Sequence, residues 1–256
     1  MDLNFVDAKD IRVSDELQYQ INKIDDVHPV IIVDNVLENP HGFIESIVQK
    51  TPLQFNNKVQ TSDIVFPGHQ VHLGLDFPEI NLLVGHLIQK YTDFTQIEQE
   101  DLVFSYQINV MNSDVEVERI CMQPHVDPAM FAFVIYLNEP EQCRGGTSFF
   151  SHSACGVTNM EHVHKPFKRT EEYWNLKEWL YDFKDKKFDK IDCDSMLMED
   201  VYEEEYFVPM QFNRLILYPS YVWHTAMMKK GWYNHDQGMD RVSISGFIHP
   251  DCFGVS

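Results

Sequence analysis

From residue 101 the chain turns into a series of short segments rich in β-branched and aromatic residues. They read "LVFSYQINVM" from 102, "FAFVIYLN" from 131, "SFFSH" from 148, "RLILYPS" from 214 and "RVSISGFI" from 241. Each has strand length and strand composition, and turn chemistry separates them, Gly145-Gly146 most clearly. Many short strands must bury a face apiece and manage their edges, so the pattern predicts an antiparallel sheet system closed as a jelly roll. Helical signals come earlier. In "FPEINLLVGHLIQKY", Ile80, Leu83, Val84, Leu87, Ile88 and Tyr91 share one face, with His86 off it. Before that, Val30 to Val33 read as a strand and Asn39-Pro40 as a helix start, followed by Phe43, Ile44, Ile47 and Val48 at helical spacing. The expected class is mainly β with outer helices.

The organisation expected is one domain over 1–256: α/β elements to about 100, a barrel core over about 101–150 and 210–250, and an insertion over about 151–210. Within the insertion, "TEEYWNLKEWLYDFK" reads as a helix bearing Tyr173, Trp174, Lys177, Leu180 and Tyr181 on one face. The acidic run Glu199 to Glu205 reads as a solvated loop.

Composition narrows the function. Twenty basic residues against forty acidic ones give a formal charge of −20, which repels phosphate backbones and argues against nucleic acid as a partner. No stretch approaches the roughly 20 apolar residues of a membrane span, and the opening "MDLNFVDAKD" lacks a signal-peptide pattern. Five cysteines without CxxC spacing argue against a disulfide framework or zinc ribbon. A reducing cytoplasm is the expected location.

In "QPHVDPAM", His125 and Asp127 stand two apart between Pro124 and Pro128. Such a tripeptide can be a polar turn, or half of a metal site, because alternate residues of an extended segment point the same way. His224 follows the strand Arg214 to Tyr218, and in "DRVSISGF" Arg241, Ser243 and Ser245 alternate with apolar residues. That alternation fits a half-exposed strand. It also fits a strand lining a barrel, where a buried guanidinium needs an anion. Two His and one carboxylate that leave adjacent positions open form the facial triad of non-haem Fe(II) oxygenases. A chelating 2-oxo acid then needs a cation for its far carboxylate, and Arg offers a planar fork for it.

Taken in order, HVD, "YLNEPEQCRGGTSFF", "RLILYPSYVWH" and "RVSISGF" resemble the 2-oxoglutarate and Fe(II)-dependent oxygenases of the prolyl-hydroxylase type. The opening "VIIVDNVLENPHGFIESIV" resembles an uncharacterised branch of them. The resemblance implies a double-stranded β-helix of cupin-like kind, with His125, Asp127 and His224 on Fe(II). It implies Arg241 on the distal carboxylate of 2-oxoglutarate, supported by Ser243 and Tyr136, with Arg214 in reserve because "KKGWYNHDQGMD" lengthens the hairpin before Arg241. Tyr106, Gln107 or Asn109 would supply the remaining hydrogen bonds. The implied reaction consumes O2 and 2-oxoglutarate, releases succinate and CO2, and hydroxylates or otherwise oxidises a C–H bond. Asp127 argues against a halogenase. The expected substrate is a small organic molecule such as an amino acid; a protein side chain, or a sensor without turnover, are the alternatives.

Other residues rank lower. His162, His164, His69 and His72 read as surface histidines, His152 as near the mouth of the barrel, Trp223 as a wall of the metal site, and Trp174 and Trp179 as core of the insertion.

Overall fold

The computed structural model describes residues 11–48, 60–61, 64–65, 68–92, 102–113, 124–127, 129–152 and 202–250. Its strands are β1 (Gln18–Lys23), β2 (Pro29–Asp34), β3 (Gln60–Thr61), β4 (Ile64–Val65), β5 (Gly68–Leu73), β6 (Leu102–Met111), β7 (Phe131–Tyr136), β8 (Gly146–His152), β9 (Tyr202–Pro209), β10 (Arg214–Pro219), β11 (Trp223–Met227) and β12 (Arg241–Pro250). Helix α1 (Pro40–Phe43) runs into a π-helical turn, Ile44–Val48, and α2 spans Pro78–Tyr91. The architecture is mostly β and antiparallel. A seven-stranded sheet has the order β1-β2-β10-β7-β12-β6-β5, a three-stranded sheet the order β11-β8-β9, and β3 and β4 form a small hairpin. Among the described residues, no helix is long and apolar enough to cross a membrane.

Alternation along the strands of the large sheet creates two cores. One face carries Ile31, Val33, Ile108, Phe133, Ile135, Leu215, Leu217, Ile244 and Ile248, packed with Phe43, Phe77, Ile80, Val84, Leu87 and Ile88 from the helical side. The other carries Ile32, Ala132, Val134, Tyr136, Ile216 and Tyr218, packed with Phe149 and Val208 from the small sheet. The central strands β7 and β10 are therefore buried on both faces, which explains why "FAFVIY" and "RLILYP" read as near-continuous apolar runs. Each fully buried aromatic or aliphatic side chain contributes about 1.5–3 kcal/mol.

Local chemistry pins the elements. Asn39 caps α1 by accepting from the Gly42 amide at 2.9 Å. Pro78 opens α2, and Glu79 in its first turn ties α2 to Val13 (2.8 Å) and to Arg12. Asn213, at φ 58°, turns the chain into β10, accepting from Leu37 N at 2.9 Å and donating to Leu37 O at 2.8 Å. The extra residues after β11 bring Tyr233 into the inner core, where its hydroxyl donates to Arg144 O (2.7 Å) and accepts from Arg144 N (3.0 Å).

The structure departs from the sequence reading in places. Glu203 to Glu205 lie on β9, which pairs with β8, so the small sheet takes in residues that had read as a loop of the insertion. Strands β1 and β5 were not anticipated, because both are edge strands with polar residues on each face. Tyr106 faces the helical side, packed edge-on against Phe77 with its hydroxyl on Asn81, and so points away from any inner pocket. The expected helix of the insertion, with Trp174 and Trp179, and the pair His162 and His164 lie outside the described residues.

Candidate functional site

Strands β10 and β11 are joined by a tight turn, Ser220 to Val222, whose backbone organises three side chains. Ser220 O accepts the Asp127 amide at 3.0 Å, and His125 and His224 exchange backbone hydrogen bonds of 3.0 and 2.9 Å. The Ser220 hydroxyl donates to Ala129 O, fastening the turn to the segment that leads into β7. These backbone contacts place His125, Asp127 and His224 with their ligating atoms all within 4.8 Å of one another. They are the one such metal-capable cluster among the described residues.

Within the cluster, His224 Nε2 lies 3.1 Å from Asp127 Oδ2, and His125 Nε2 lies 3.9 Å from Asp127 Oδ1. His224 Nδ1 contacts Val222 O at 2.8 Å. With Nδ1 acting as donor to that carbonyl, Nε2 is the atom left to ligate, the arrangement typical of metal-binding imidazoles. Burial works to raise the pKa of Asp127, but the His224 imidazole and then His125 outweigh it, and the carboxyl lies below its usual range. His224 is buried while the His125 side chain is 52% exposed, so the cluster opens to solvent on the His125 side. Tyr218 and Phe149 wall the His224 ring at centroid distances of 4.8 and 6.4 Å. Trp223, expected in that role, packs on Tyr202 at 5.7 Å, because adjacent strand residues point to opposite faces.

Deeper between the sheets lies a cationic centre. Arg241 stands opposite Met111 on β6, and Ser243 stands between Asn109 on β6 and Tyr136 on β7. Arg241 is 3% exposed, and its Nε is buried without a hydrogen-bond partner among the described residues. Its NH1 meets Met111 Sδ at 3.3 Å and Ser243 Oγ at 3.5 Å, and its guanidinium carbon lies 5.4 Å from the Tyr136 ring centre. Tyr136 spans the two sheets through a 2.7 Å contact with the Thr147 hydroxyl. Burial pushes the phenol of Tyr136 up, so it is a proton donor at neutral pH. Among the described residues the neighbours of this guanidinium are a thioether, a hydroxyl and a ring, none of them an anion, and a guanidinium buried without a counter-charge is costly.

Arg214 has a different part. Its Nε and NH2 reach Asp34 Oδ1 and Oδ2 at 2.6 and 2.9 Å, and its remaining donors meet Pro209 O at 3.0 Å and Gln211 Oε1 at 2.9 Å. It is consumed by structure.

Tyr218 was not singled out by sequence, since it sits in a run that reads as buried strand. Burial raises the pKa of its hydroxyl well above the usual phenol value, and Asp127, Tyr136 and Arg241 lie within electrostatic range of it. His69 is buried and His72 exposed on β5, and neither belongs to the metal-capable cluster. His152 ends β8, with its side chain outside the described residues.

The donor set suits a transition metal: two imidazoles and one carboxylate bind without saturating the ion. Arg241 suits a carboxylate. Over residues 15–248 the sequence matches a family described as "Family of unknown function (DUF6445)", and the chain belongs to that family. Among curated proteins none matches significantly. Two solved structures share a weak likeness. IDO from Bacillus thuringiensis is 9% identical with a TM-score of 0.35, over 68% of this chain and 55% of that one. HygX from Streptomyces hygroscopicus, solved with nickel, 2-oxoglutarate and hygromycin B bound, is 12% identical with a TM-score of 0.34, over 89% of this chain and 84% of that one. The chain thus spans about half the length of the former, 55%. Likeness this weak assigns neither ligand nor reaction to the present chain.

Proposed function

We propose that this member of DUF6445 is a non-haem Fe(II) oxygenase that uses 2-oxoglutarate and O2 to oxidise a C–H bond of a small organic substrate. One observation carries the reading: a His-Asp-His cluster and a buried arginine with no carboxylate partner among the described residues are housed between the same two sheets. The strand order, with β6-β12-β7-β10 facing β11-β8-β9, supports a double-stranded β-helix as the underlying fold.

His125, Asp127 and His224 would hold the metal, and Arg241, with Ser243 and Tyr136, would take the distal carboxylate of the co-substrate. When bound, Fe(II) and 2-oxoglutarate supply the oxidising chemistry, with O2 as oxidant and succinate and CO2 as co-products. The chain contributes geometry and environment. The Val222 carbonyl orients His224, and the Asp127 carboxyl is kept ionised. Phe149 and Tyr218 line the inner side of His224 and keep water from it. Arg241 fixes the far end of a dicarboxylate, so only a 2-oxo acid of matching length can satisfy both ends.

The test is an anaerobic titration of the chain with Fe(II) and then 2-oxoglutarate. Saturable iron binding followed by a visible metal-to-ligand charge-transfer band is the expected result. Iron binding without the band would show a metal site with a different co-substrate. Absence of iron binding would leave the cluster as a set of structural contacts.

A further inference from the structure

The inner face of the large sheet changes character towards β5. On β7 and β10 it carries Val134, Ile216 and Tyr218. On β6, β12 and β5 the residues in register are Asn109, Ser243 and Gln70, then Gln107, Ser245 and His72. Gln107 and Asn109 are 5% and 6% exposed, and they are held by one another. Asn109 Oδ1 accepts from Gln70 Nε2 and from Gln107 Nε2, each at 3.1 Å, while Asn109 Nδ2 donates to Ser245 Oγ at 2.8 Å.

This network spends only part of its capacity. Asn109 Oδ1 is filled, but among the described residues no hydrogen bond occupies the Gln107 and Gln70 carbonyl oxygens or the Ser245 proton. These atoms are left free to bind water or a ligand that reaches them. Their chemistry suits an uncharged partner. Gln70, Gln107, Asn109 and Ser245 carry no charge, whereas the cation of the pocket, Arg241, lies over the Tyr136 ring towards β7. A carboxylate placed against buried Gln107 and Asn109 would be desolvated, and the titratable group in their row among the described residues is His72, which is exposed at the sheet edge. Access also differs from that of the co-substrate. The amides step from buried Gln107 and Asn109 to half-buried Gln70 and Ser245 and exposed His72, towards the sheet's β5 edge.

Building on the oxygenase reading, we propose that Gln70, Gln107, Asn109 and Ser245 form the substrate subsite, and that it selects a neutral carboxamide or peptide-amide group over a carboxylate. An amide presents an N–H to the Gln107 and Gln70 oxygens and a carbonyl to the Ser245 hydroxyl. A carboxylate lacks the donor and meets two lone pairs instead. Sites built around hydrogen bonding discriminate sharply against a partner that leaves their groups unpaired.

The experiment measures affinities of matched pairs for the full chain loaded with Fe(II) and 2-oxoglutarate under argon, by calorimetry. The probes are L-glutamine against L-glutamate, L-asparagine against L-aspartate, and N-acetylglycinamide against N-acetylglycine. In at least one pair the amide should bind about tenfold or more tighter than its acid. Gln107→Met should bring that ratio close to one, with 2-oxoglutarate affinity held within about twofold of wild type. Ser245→Ala serves as a second variant if Gln107→Met does not fold. Acids that bind as well as amides, silence from every amide, or a loss of 2-oxoglutarate affinity in Gln107→Met like that of Arg241→Ala would each overturn the assignment. If the wild-type chain takes up neither iron nor 2-oxoglutarate, the oxygenase reading falls, and the same pairs measured on the metal-free chain still decide what the amides bind.

Discussion

Arg214 and Asp34 clasp each other across β10 and β2 through two parallel contacts of 2.6 and 2.9 Å, while Arg241 has no such carboxylate among the described residues. The two arginines should therefore separate cleanly by experiment. Arg241→Ala should weaken 2-oxoglutarate binding about 10- to 100-fold, the worth of a charge-assisted pair of hydrogen bonds, with little change in iron affinity. Arg214→Ala should leave both affinities near wild type and lower stability by about 2 kcal/mol, because it strands a partly buried carboxylate. Calorimetric titrations and urea melts check both. Co-substrate loss in Arg214→Ala rather than Arg241→Ala would reverse the assignment.

Asp127 should matter in two ways. Asp127→Ala should abolish tight Fe(II) binding, because it leaves two imidazoles and no anionic ligand; stoichiometric iron retained after dialysis would contradict it. In the metal-free chain the carboxyl is depressed below its unfolded value near 3.9. A depressed folded value means stability that is present above about pH 4 and lost as pH falls through the folded value. Thermal melts of metal-free wild type and Asp127→Asn should therefore converge as pH drops from 6 to 3. A gap that widened on acidification would contradict the sign.

What was legible in the sequence was what strand alternation and turn chemistry encode. The period of two places Arg241, Ser243 and Ser245 on one face, and the same rule aligns His125 with Asp127. Applied to "WH", it also turns Trp223 away from His224, a consequence the sequence reading passed over. Applied to "SYQIN", it divides Tyr106 from Gln107 and Asn109. Strands β1 and β9 were illegible for a different reason. As edge strands, "QYQINK" and "YEEEYFVP" keep most side chains in water, so no apolar period marks them. Tyr218 was hidden because a phenol in an apolar run looks like core until the fold brings Asp127 and, from the same sheet, Arg241 into range of it.

Asn213 offers a test of the scaffold apart from the site. Its side chain satisfies both backbone groups of buried Leu37, and its φ of 58° lies in the left-handed region. Asn213→Ala loses both hydrogen bonds and adds backbone strain of about 1 kcal/mol, for a total of about 3 kcal/mol. Asn213→Gly loses the hydrogen bonds alone and should be about 1 kcal/mol more stable than the alanine variant. Denaturant midpoints of the two variants give the comparison directly; an alanine variant as stable as the glycine one would remove the strain from the account.

Tyr218 adjoins the His-Asp-His cluster and lies within electrostatic range of Arg241. Its ring packs on His224 at 4.8 Å and on Phe149 at 5.0 Å, and its hydroxyl senses Asp127 and Arg241 together. Burial holds that hydroxyl protonated across the physiological range, so it can only donate to an anion lying between metal cluster and guanidinium. Tyr218→Phe keeps the ring and removes the donor. It should leave iron affinity unchanged and weaken 2-oxoglutarate by about 10-fold or more, the value of one neutral donor to a charged partner. Tyr218→Ala should weaken iron as well, because His224 loses the wall that orients it. Equal co-substrate affinity in Tyr218→Phe and wild type would place the hydroxyl outside the path between the two ends of the bound acid.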